Sequence, residues 1–496
     1  MKNLKDLAKI VGLEANDLAI DYLTDNTKDV KPNSLFIAYK GITFDAREHI
    51  DEIIKQGAVA VFYDDCDDFS YQGNANVLGV KNLAQYEAQL ANFFFDNPSQ
   101  KLKLVGVTGT NGKSTVTYLV SIILNALNTK CGLLGTLGNG FYPNLKTTTN
   151  TTQMPLKLQK NIKEILDEGA KAIAMEVSSH GLALGRVDNL HFLVAAFTNL
   201  THDHLDFHKT MENYAQAKFQ LFKKVSSSNC VINIDDKTGE NFANQLDLSM
   251  VYTKDKNRYE DFKNKYPNLK HQVIYTEKIV YHNQGITLQI NGDFGEEELN
   301  IGLLGSFNVE NILCAIGILL KLGFTLSQIK SIENYIKPLK GRMELYKNHD
   351  GSDLVVDYAH TPDGLKRAIE ALREHHYRKI TVVCGCGGDR DKLKRPIMAK
   401  IASDLADHVI FTSDNPRNEE PWAILNMMLE GVKDKTNYQT IENRTLAIKE
   451  AFNSSIGDDV VLIAGKGHED YQIIGNIKHH YSDRELAEEL TGDKHD

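Results

Sequence analysis

The stretch TGTNGKST, residues 108 to 115, follows the apolar run LKLVGV and precedes the apolar-rich segment VTYLVSIILNALN. This order predicts a buried strand, a glycine-rich turn and a helix, as in parallel α/β proteins. Backbone N–H groups of such a turn converge on an anion, while Lys113 neutralises its charge and Ser114 can bind Mg²⁺. The stretch is therefore a candidate phosphate-binding loop.

The spacing of the glycines departs from the general pattern G-x-x-x-x-G-K-[ST]. The residue five positions before Gly112 is Val107, and the nearby glycines are Gly106 and Gly109. A tight turn with a solvated lysine is the alternative interpretation. The combined order of strand, glycines, lysine, serine and helix favours the phosphate loop.

Length and composition limit the function classes. A chain of 496 residues indicates two to four domains, of which we expect three. The content of 42% apolar and 25% charged residues is typical of a globular chain. The net charge is -10, and the sequence has no basic tract that could follow a nucleic-acid backbone. We therefore expect no nucleic-acid partner.

The N-terminal sequence MKNLKDLAKIVGLEAND has the pattern of an amphipathic helix that contains acids, which does not suit a targeting segment. No apolar run in the sequence is long enough to cross a bilayer. Six cysteines are scattered, and the close pair Cys384 and Cys386 has no further ligand-like cysteines nearby. These features predict a protein of the reducing cytoplasm.

Changes in the apolar pattern predict three sections of chain. Residues 1–97 mix helix and strand patterns, and a turn-rich joint, DNPSQ, follows. Residues 98–335 alternate helical patterns with the strands LKLVGV, KAIAMEV, LVAAFTNL and CVINIDD. Residues 336–496 repeat the alternation with LVVDY, KITVVCG, HVIFTSD and VVLIAGK. This rhythm predicts an α/β fold with parallel sheets and crossover helices.

The cluster HDHLDFH offers several possible metal ligands, which are His202, Asp203, His204, Asp206 and His208. A structural zinc site takes three or four convergent ligands, and this stretch has no second cluster at zinc-finger spacing. We instead expect one magnesium contact, His204, and polar packing for the other residues.

Three further segments place polar residues in predicted elements. Glu176 ends the strand KAIAMEV, where it can supply a hard oxygen ligand beside the phosphate-loop strand. Lys218 lies in MENYAQAKFQLF, which has the spacing of a packed helix, and an exposed lysine is the ordinary interpretation. Asn308 and Asn311 in GSFNVENILCA share one helix face and can read an adenine edge, with helix capping by Asn308 as the alternative.

TGTNGKST resembles the nucleotide loop of the Mur ligases and of the related folylpolyglutamate synthetases. Further segments occur in the order seen in MurE-type Mur ligases, and they are AMEVSSHGLALGRV, FTNLTHDHLDFH, MENYAQAKFQLF, GSFNVENILCA, GRMELY, VVDYAHTPDGL, GCGGDRDKLKRP, SDNPRNEEP and AGKGHEDYQ. VKPNSLFIAYKGITFDAREHI resembles the family's UDP-binding domain. The resemblance implies a UDP-substrate domain at 1–97, a central P-loop parallel-sheet ATP-binding domain at 98–335 and a Rossmann-like amino-acid-binding domain at 336–496.

The resemblance also implies an activity in peptidoglycan precursor synthesis. MurE-type ligases use ATP to turn the D-glutamate side-chain carboxylate of UDP-N-acetylmuramoyl-L-alanyl-D-glutamate into an acyl phosphate, which an amine of meso-2,6-diaminopimelate then attacks. The implied cofactors are ATP and Mg²⁺, the implied partners are these small molecules, and we expect a monomer. The alternatives are a Mur ligase with another acceptor such as L-lysine, a folylpolyglutamate synthetase, or an ATP-driven switch protein.

By this resemblance, the nucleotide end of the site has three overlapping sets of residues. The ATP-binding set is Gly109, Thr110, Asn111, Gly112, Lys113, Ser114, Thr115, Asn308, Asn311, Arg342 and His360. The catalytic set is Lys113, Glu176, His204 and Lys218. The metal-binding set is Ser114, Glu176, His204 and Lys218, the last as N6-carboxylysine.

The resemblance implies a UDP-substrate set of Asn26, Asn150, Thr151, Thr152, Ser178 and Arg186. Three departures from the family pattern affect this set. Gln153 stands in place of the usual proline, Leu184 stands where some members have glutamine, and the family's aspartate-serine-arginine triplet is replaced by Asp25, Asn26 and Thr27.

The four strands of the last section end in the turns DYAHTPD, GCGGDRD, SDNPRNEEP and AGKGHED, where ligands of open α/β sheets bind. The second amino-acid head of diaminopimelate needs a guanidinium for its carboxylate and an acid for its ammonium, and DNPR with GKGHED offers both. A surface salt bridge from Arg417 to Glu419 or Glu420 is the alternative. The diaminopimelate-binding set is Arg390, Asp414, Asn415, Pro416, Arg417, Gly465 and Glu469.

Overall fold

The computed structural model describes residues 1–41, 44–67, 69–348 and 351–495. These residues form two compact units. The first is Met1–Thr253 with Asn257–Ile274 and Cys314–Thr325, and the second is Lys254–Lys256 with Tyr275–Leu313 and Leu326–Asp496. The three-domain boundaries at residues 97 and 335 stay a prediction.

The N-terminal section of the first unit contains an antiparallel pair of strands and a separate four-stranded parallel sheet. Its strands are β1 (Lys2–Asn3), β2 (Ala19–Ile20), β3 (Tyr22–Thr24), β4 (Ser34–Ala38), β5 (Ala58–Asp64) and β6 (Val77–Val80), and its helices are α1 (Leu4–Ile10), α2 (Ile50–Lys55) and α3 (Glu87–Phe94). Strands β3 to β6 are parallel neighbours in chain order. Helix α1 is shorter than the amphipathic pattern suggests, because Gly12 follows it with φ 75°, a conformation that ends helices.

The middle of the chain contributes more of the described strands than either of the other sections. They are β7 (Lys103–Thr108), β8 (Cys131–Gly135), β9 (Gly138–Phe141), β10 (Asn144–Lys146), β11 (Ala172–Glu176), β12 (Val194–Phe197), β13 (Cys230–Asn233), β14 (Met250–Thr253), β15 (Gln272–His282), β16 (Gly285–Gly292) and β17 (Glu297–Ile301). The helices are α4 (Lys113–Ala126), α5 (Pro155–Asp167), α6 (Ser179–Ala183), α7 (Leu205–His208), α8 (Met211–Phe219), α9 (Lys237–Asn244), α10 (Lys256–Lys265), α11 (Ser306–Lys321) and α12 (Leu326–Lys330).

Six of these strands form the parallel part of the sheet in the first unit, in the order β8, β11, β7, β12, β13 and β14. They are rich in fully buried apolar residues, as expected for strands covered on both faces. In the register of β11 and β7, Glu176 lies opposite Val107. The predicted parallel sheet is confirmed, and it places Glu176 next to the end of the phosphate-loop strand. Strands β9 and β10 add an antiparallel edge that the sequence analysis did not predict.

The C-terminal section belongs to the second unit and has its own sheet. The strands are β18 (Glu344–Tyr346), β19 (Asp353–Asp357), β20 (Ile380–Cys384), β21 (His408–Phe411), β22 (Tyr438–Thr440), β23 (Val460–Ala464), β24 (Tyr471–Ile474) and β25 (Ile477–His480). The helices are α13 (Pro362–Glu374), α14 (Lys394–Leu405), α15 (Pro421–Leu429), α16 (Arg444–Asn453) and α17 (Asp483–Thr491).

The sheet order is β18, β19, β23, β20, β21 and β22, with β18 antiparallel and the others parallel. Apolar cores lie on its two faces. The four strands predicted from the sequence are β19, β20, β21 and β23, and all are confirmed. Because they are parallel, the turns that follow them meet at one edge of the sheet.

Short 3-10 helices connect several of these elements, at Thr27–Asp29, Ala46–His49, Leu83–Gln85, Pro98–Gln100, Phe222–Lys224, Ser227–Asn229, Glu333–Tyr335 and Glu430–Val432. Within the described ranges, no helix combines the length and the apolar character that crossing a membrane requires.

Candidate active site

The phosphate loop lies between β7 and α4, as the sequence predicts. Gly109 and Gly112 have φ angles of 155° and 84°, which glycine adopts readily. A Cβ at Gly109 would lie 1.9 Å from the hydroxyl of Thr198. Glycine at position 109 therefore allows the turn, and it also allows the close approach of Thr198, which follows β12.

Two lysines meet at this loop. The ammonium of Lys113 donates to the carbonyl oxygens of Gly109 and Thr110, both at 2.9 Å. The ammonium of Lys218 donates to the same oxygen of Gly109 at 2.7 Å and lies 4.5 Å from the centre of the Tyr214 ring. Both ammonium groups therefore lie at the loop, where they can pair with a bound anion.

The ordinary interpretation of Lys218 as an exposed lysine is wrong, because its side chain is buried with only 1% exposure. Burial lowers the pKa of Lys218 well below its ordinary value, and the charge of Lys113 lowers it further. Burial also lowers the pKa of Lys113, although Glu176 and Asp203 oppose that shift. Burial therefore favours the neutral amine at both lysines.

Glu176 accepts a hydrogen bond from the hydroxyl of Ser114 at 2.9 Å and another from the backbone N–H of Thr136 at 2.8 Å. Burial raises the pKa of this carboxyl, while the ammonium of Lys113 opposes the shift. Mg²⁺ binds few protein oxygens and completes its shell with water and phosphate oxygens. Ser114 and Glu176 are hard oxygen donors in contact with each other, so their chemistry fits this ion. In the described part of the chain, no group of three or more His, Cys, Asp and Glu side chains is assembled for a metal.

The histidines of HDHLDFH divide into two kinds. His204 is exposed, has φ 53°, and its ring lies 4.9 Å from that of His180. His208 is buried, stacks on Tyr214 and hydrogen-bonds the hydroxyl of Ser179 at 2.9 Å. The expected polar packing is therefore seen for His208, and His204 is left at the surface.

Neighbouring segments hold the phosphate loop in place. The hydroxyl of Thr198 donates to the carbonyl of Asn111 at 2.6 Å, and the side chain of Asn199 accepts from the N–H of Asn111 at 2.9 Å. The hydroxyl of Tyr214 lies 3.1 Å from that of Thr110. The sequence analysis did not assign Thr198, Asn199 and Tyr214, although FTNL and MENYAQAKFQLF carry them. Thr115 lies in the first turn of α4.

Part of the predicted UDP-substrate set is assembled beside Glu176. Thr152 is buried, donates to the carbonyl of Glu176 at 3.1 Å and accepts from the N–H of Ser178 at 2.9 Å. The guanidinium of Arg186 donates to the carbonyl of Thr152 at 2.8 Å. The buried Nε of Arg186 has no hydrogen-bond partner among the described atoms, which leaves one charged donor available.

The other members of that set are less closely linked. The hydroxyl of Thr151 lies 3.1 Å from that of Thr136, which in turn bonds Glu176. Asn150 is exposed, and its backbone is held by Thr148. In the N-terminal section, the side chain of Asn26 caps residues Thr27–Asp29 by accepting from the N–H of Lys28 at 3.1 Å.

Asn308 and Asn311 share one face of α11, as predicted, and are joined by a hydrogen bond of 3.0 Å. The alternative role of Asn308 as a helix cap is wrong, because its amide donates to the carbonyl of Leu304 at 2.8 Å. The cap comes instead from Glu374, which accepts from the N–H of Ser306 at 2.7 Å, and His375, which accepts from that of Gly305 at 2.8 Å.

Arg342 and His360 both contact the ring of Tyr358. The guanidinium of Arg342 lies 4.6 Å from the centre of the Tyr358 ring, and the His360 ring lies 4.6 Å from it. Asp357 accepts from the backbone N–H groups of Met343 at 2.8 Å and Ala359 at 2.9 Å. Asp357 therefore fastens both turns, a role that the sequence analysis missed although the residue lies in VVDYAHTPDGL.

The turn that carries Arg342 packs directly on the loop GKGHED. A Cβ at Gly341 would lie 2.2 Å from the backbone nitrogen of His468, and one at Gly467 would lie 2.6 Å from the Cβ of Tyr358. Both glycines have positive φ angles, 69° and 52°. The two segments thus touch through their backbones.

The DNPR turn and the GKGHED loop form one constellation. The amide of Asn415 donates to Glu469 at 3.0 Å. A Cβ at Gly465 would lie 2.7 Å from a carboxylate oxygen of Asp414. Pro416 is buried between these partners and Arg417. An acid and a guanidinium are therefore held on adjoining turns.

Arg417 is held in an unusual backbone conformation. Its φ is 52°, its N–H donates to Ile473 at 3.0 Å and its carbonyl accepts from Gly475 at 2.7 Å. Its guanidinium donates to the carbonyl of Gly388 at 2.8 Å. Non-glycine residues in this conformation cluster at functional sites.

The alternative salt bridge of Arg417 to Glu419 is wrong. Glu419 is instead bound by the guanidinium of the buried Arg395, at 2.8 and 2.9 Å. A Cβ at Gly387 would lie 2.9 Å from the guanidinium of Arg417 and 3.7 Å from the side chain of Arg390, so both arginines adjoin that glycine. Arg390 is exposed.

Lys466 was not assigned from the sequence, although AGKGHED carries it. It is fully buried, and its ammonium donates to the side chain of Asn415 at 2.9 Å and to the carbonyl of Tyr471 at 2.8 Å. Burial lowers the pKa of Lys466, while the carboxylates of Asp414 and Glu469 oppose the shift.

Comparison with known proteins bears on this arrangement. The Mur ligase middle domain matches residues 107–319, and the Mur ligase glutamate ligase domain matches residues 341–467. The chain is similar to UDP-N-acetylmuramoyl-L-alanyl-D-glutamate–2,6-diaminopimelate ligases of two bacteria. It is 41% identical to that of Pseudomonas syringae pv. tomato, over 97% of each chain. It is 39% identical to that of Vibrio vulnificus, over 97% of this chain and 96% of the relative.

A solved structure of a ligase with the same description is 29% identical to this chain. The two superpose with a TM-score of 0.71 and cover 99% of each other. The similarity therefore spans all three sections of the sequence, including the N-terminal one that lies outside both matched domains. On this evidence, the chain belongs to the Mur ligase family and is of the MurE type.

Proposed function

We propose that this protein is an ATP-dependent ligase that joins meso-2,6-diaminopimelate to the D-glutamate side-chain carboxylate of UDP-N-acetylmuramoyl-L-alanyl-D-glutamate, in peptidoglycan precursor synthesis. The observation that carries the proposal is the junction of the DNPR turn with GKGHED, where Asn415 donates to Glu469 and Arg417 follows two residues later in the same turn. A Mur ligase needs such a pair only when its acceptor carries a second amino-acid head. The names of the full-length relatives agree with this acceptor.

The first step activates the acid. A carboxylate is a poor acyl donor, because it is anionic and its oxygen is a poor leaving group. An oxygen of the D-glutamate carboxylate attacks the γ-phosphorus of ATP, the bond from phosphorus to the bridging oxygen breaks, and ADP leaves. Lys113, at the start of α4, is the cation that can stand between the two anions during this step.

Mg²⁺, when bound, would neutralise phosphate charge at this site. We propose Ser114 and Glu176 as its protein ligands, and His204 and Lys218 as the remaining members of the metal set. For Lys218 this role requires the neutral amine to add CO2 and lose a proton, which gives a carbamate. Burial and the lowered pKa of Lys218 favour the neutral amine that this modification needs.

The second step forms the amide. The neutral amine of diaminopimelate attacks the acyl carbon, phosphate leaves with the bonding electrons, and the nitrogen releases a proton. Arg417 would bind the distal carboxylate and Glu469 the distal ammonium, with Arg390, Asp414, Asn415, Pro416 and Gly465 completing the pocket. Lysine lacks the second carboxylate, and we expect the loss of this partner of Arg417 to cost about 2–5 kcal/mol.

The remaining roles follow the same proposal. Asn308, Asn311, Arg342 and His360, with the phosphate loop, would bind ATP. The UDP-substrate would contact Asn26, Asn150, Thr151, Thr152, Ser178 and Arg186, of which Arg186 has a buried donor to spare. Six free cysteines support the proposed cytoplasmic location. We propose that the protein acts as a monomer.

The experiment is a three-acceptor assay. Pure protein is incubated with ATP, Mg²⁺ and the UDP-muramoyl dipeptide, and diaminopimelate, lysine and ornithine are offered separately. We expect ADP release and a tripeptide product with diaminopimelate only. Product with lysine at an equal rate would contradict the acceptor assignment, and ADP release with folates would favour a folylpolyglutamate synthetase. ADP release at full rate without any acceptor would indicate an ATP-driven switch.

A further inference from the structure

The loops proposed to bind the acceptor enclose a lysine that the acceptor cannot reach. Lys466 follows strand β23, and none of its side chain is exposed. The charge is nevertheless placed among acids, because the ammonium lies 3.8 Å from Asp414 and 3.6 Å from Glu469. Burying a single ammonium is costly, so its retention calls for a specific purpose.

The hydrogen bonds of Lys466 show what this ammonium fixes. It donates to the side-chain oxygen of Asn415, and the same oxygen accepts from the N–H of Ile473 at 2.9 Å. This saturated oxygen sets the orientation of the amide, so the amide nitrogen points at Glu469. The second bond of Lys466, to the carbonyl of Tyr471, holds the start of strand β24. One ammonium thus ties the DNPR turn, the GKGHED loop and the β24–β25 hairpin together.

The hairpin in turn holds the arginine. Ile473 in β24 accepts from the backbone of Arg417, and Gly475 donates to its carbonyl. Displacement of β24 would therefore move Arg417 as well as Asn415. Groups that recognise a ligand need such support, because a shift of about 1 Å is enough to spoil their geometry.

We propose that Lys466 is a positioning residue for recognition of the acceptor amino acid, acting through Asn415, Glu469 and the hairpin that holds Arg417. The inference deepens the proposed function and rests on it. It predicts a defect confined to the acceptor, because Lys466 donates to Asn415 and Tyr471, neither of which belongs to the proposed ATP-binding set.

The test is Lys466→Met, which keeps the length of the side chain and removes the ammonium. We expect the KM for diaminopimelate to rise roughly ten- to hundredfold, the effect typical of losing a supporting partner, while the KM for ATP changes by less than about twofold. We also expect weaker rejection of lysine as acceptor. A KM for diaminopimelate within about twofold of wild type would overturn the proposal, as would an equal rise in both KM values.

Lys478→Met is the matched control. Lys478 lies on strand β25 of the same hairpin, is exposed, and its ammonium lies 4.2 Å from the centre of the Tyr471 ring. This variant also loses one lysine near Tyr471 but keeps the buried network. We expect wild-type KM values for both substrates. A defect like that of Lys466→Met would show that general charge, and not the buried contact, is responsible, and would overturn the proposal.

If Lys466→Met does not fold, the wild-type chain supplies the measurement. An enclosed ammonium exchanges its protons slowly and gives a ¹⁵N signal, and we expect this signal to shift when diaminopimelate is added and to stay in place with ATP alone. A protected signal that is indifferent to diaminopimelate would refute the role. Failure of the proposed function is distinguishable, since wild-type protein would then form no tripeptide product.

Discussion

Lys218, which contacts the phosphate loop, and Lys466, in the GKGHED loop, are both buried, but the two lysines are compensated differently. Lys218 has one hydrogen bond to a backbone carbonyl and lies beside a second ammonium, that of Lys113. Lys466 has side-chain and backbone acceptors and lies within 4 Å of two carboxylates. A poorly compensated amine is ready to react or to meet an anion, whereas a saturated ammonium organises its surroundings.

Lys113→Met has the largest expected effect, and it tests the lysine of the phosphate loop itself. If the ammonium of Lys113 neutralises transferring phosphate, its loss should lower kcat about a thousandfold, or ~4 kcal/mol in transition-state stabilisation. The measurement is ADP release at saturating substrates. Lys130→Met is the control, because Lys130 is exposed at the start of β8, and it should retain wild-type activity. Retained activity in Lys113→Met would remove the loop lysine from the chemistry.

Arg417→Lys tests the acceptor side. Lysine keeps the charge but lacks the planar fork that binds a carboxylate at two points, so the KM for diaminopimelate should rise by roughly thirtyfold, ~2 kcal/mol. The KM for ATP should be unchanged. The control is Arg367→Lys on helix α13, where the guanidinium pairs with Asp363 at 3.0 Å on the surface. Parallel loss of ATP affinity and acceptor affinity would argue against a dedicated role for Arg417.

The contrast also predicts opposite effects on stability. Lys466→Met leaves Asp414 and Glu469 without their nearby cation and should lower the unfolding free energy by ~2 kcal/mol. Lys218→Met removes a charge that has little compensation and should raise it by ~1 kcal/mol. Thermal unfolding without ligands should therefore give melting temperatures on opposite sides of wild type. Shifts of the same sign would show that the two lysines are not compensated differently.

The smallest expected effect is on pH dependence. It concerns the difference in unfolding free energy between wild type and Lys218→Met. The unfolded chain binds a proton at this lysine up to its ordinary pKa of 10.5, whereas the folded chain releases that proton at lower pH. Wild-type stability should therefore rise, relative to Lys218→Met, as the pH increases through the folded pKa toward 10.5.

Unfolding in denaturant at about pH 7 and about pH 9.5, in buffer free of CO2, measures this difference. The difference in unfolding free energy between wild type and Lys218→Met should be smaller at the higher pH. A gap that widens would mean that folding raises the pKa of Lys218. Lys478→Met should show no such change, because that ammonium is exposed in the folded chain too.

The main strands and the position of the glycine-rich turn were readable from the sequence. Apolar runs such as KAIAMEV and VVLIAGK form buried parallel strands, and the glycine-rich turn sits between β7 and α4. Local pattern determined these elements because strands covered on both faces have few polar residues to confuse the reading. The polar turns after β19, β20, β21 and β23 followed from the same argument.

Contacts between distant segments could not be read in this way. The sequence gives no sign that Glu374 and His375 cap helix α11, or that Glu419 pairs with Arg395 and not with Arg417. Lys218 seemed exposed because lysine usually is, and only the packing of Tyr214 and the loop buries it. Lys466 and Asp357 lie inside recognised motifs, but no local pattern reveals that Lys466 bonds Asn415 or that Asp357 bonds Met343.

The contact of Gly341 with the GKGHED loop has a consequence for variation in this protein. Any larger residue at position 341 would push against His468 and at the same time shift Arg342, its neighbour in the chain. Under the proposed roles of Arg342 in ATP binding and of the GKGHED loop in acceptor binding, one such change would impair both. A change of acceptor specificity is therefore expected to come from substitutions of side chains that line the pocket. Substitutions at Gly341 or Gly467 would disturb the backbone that supports it.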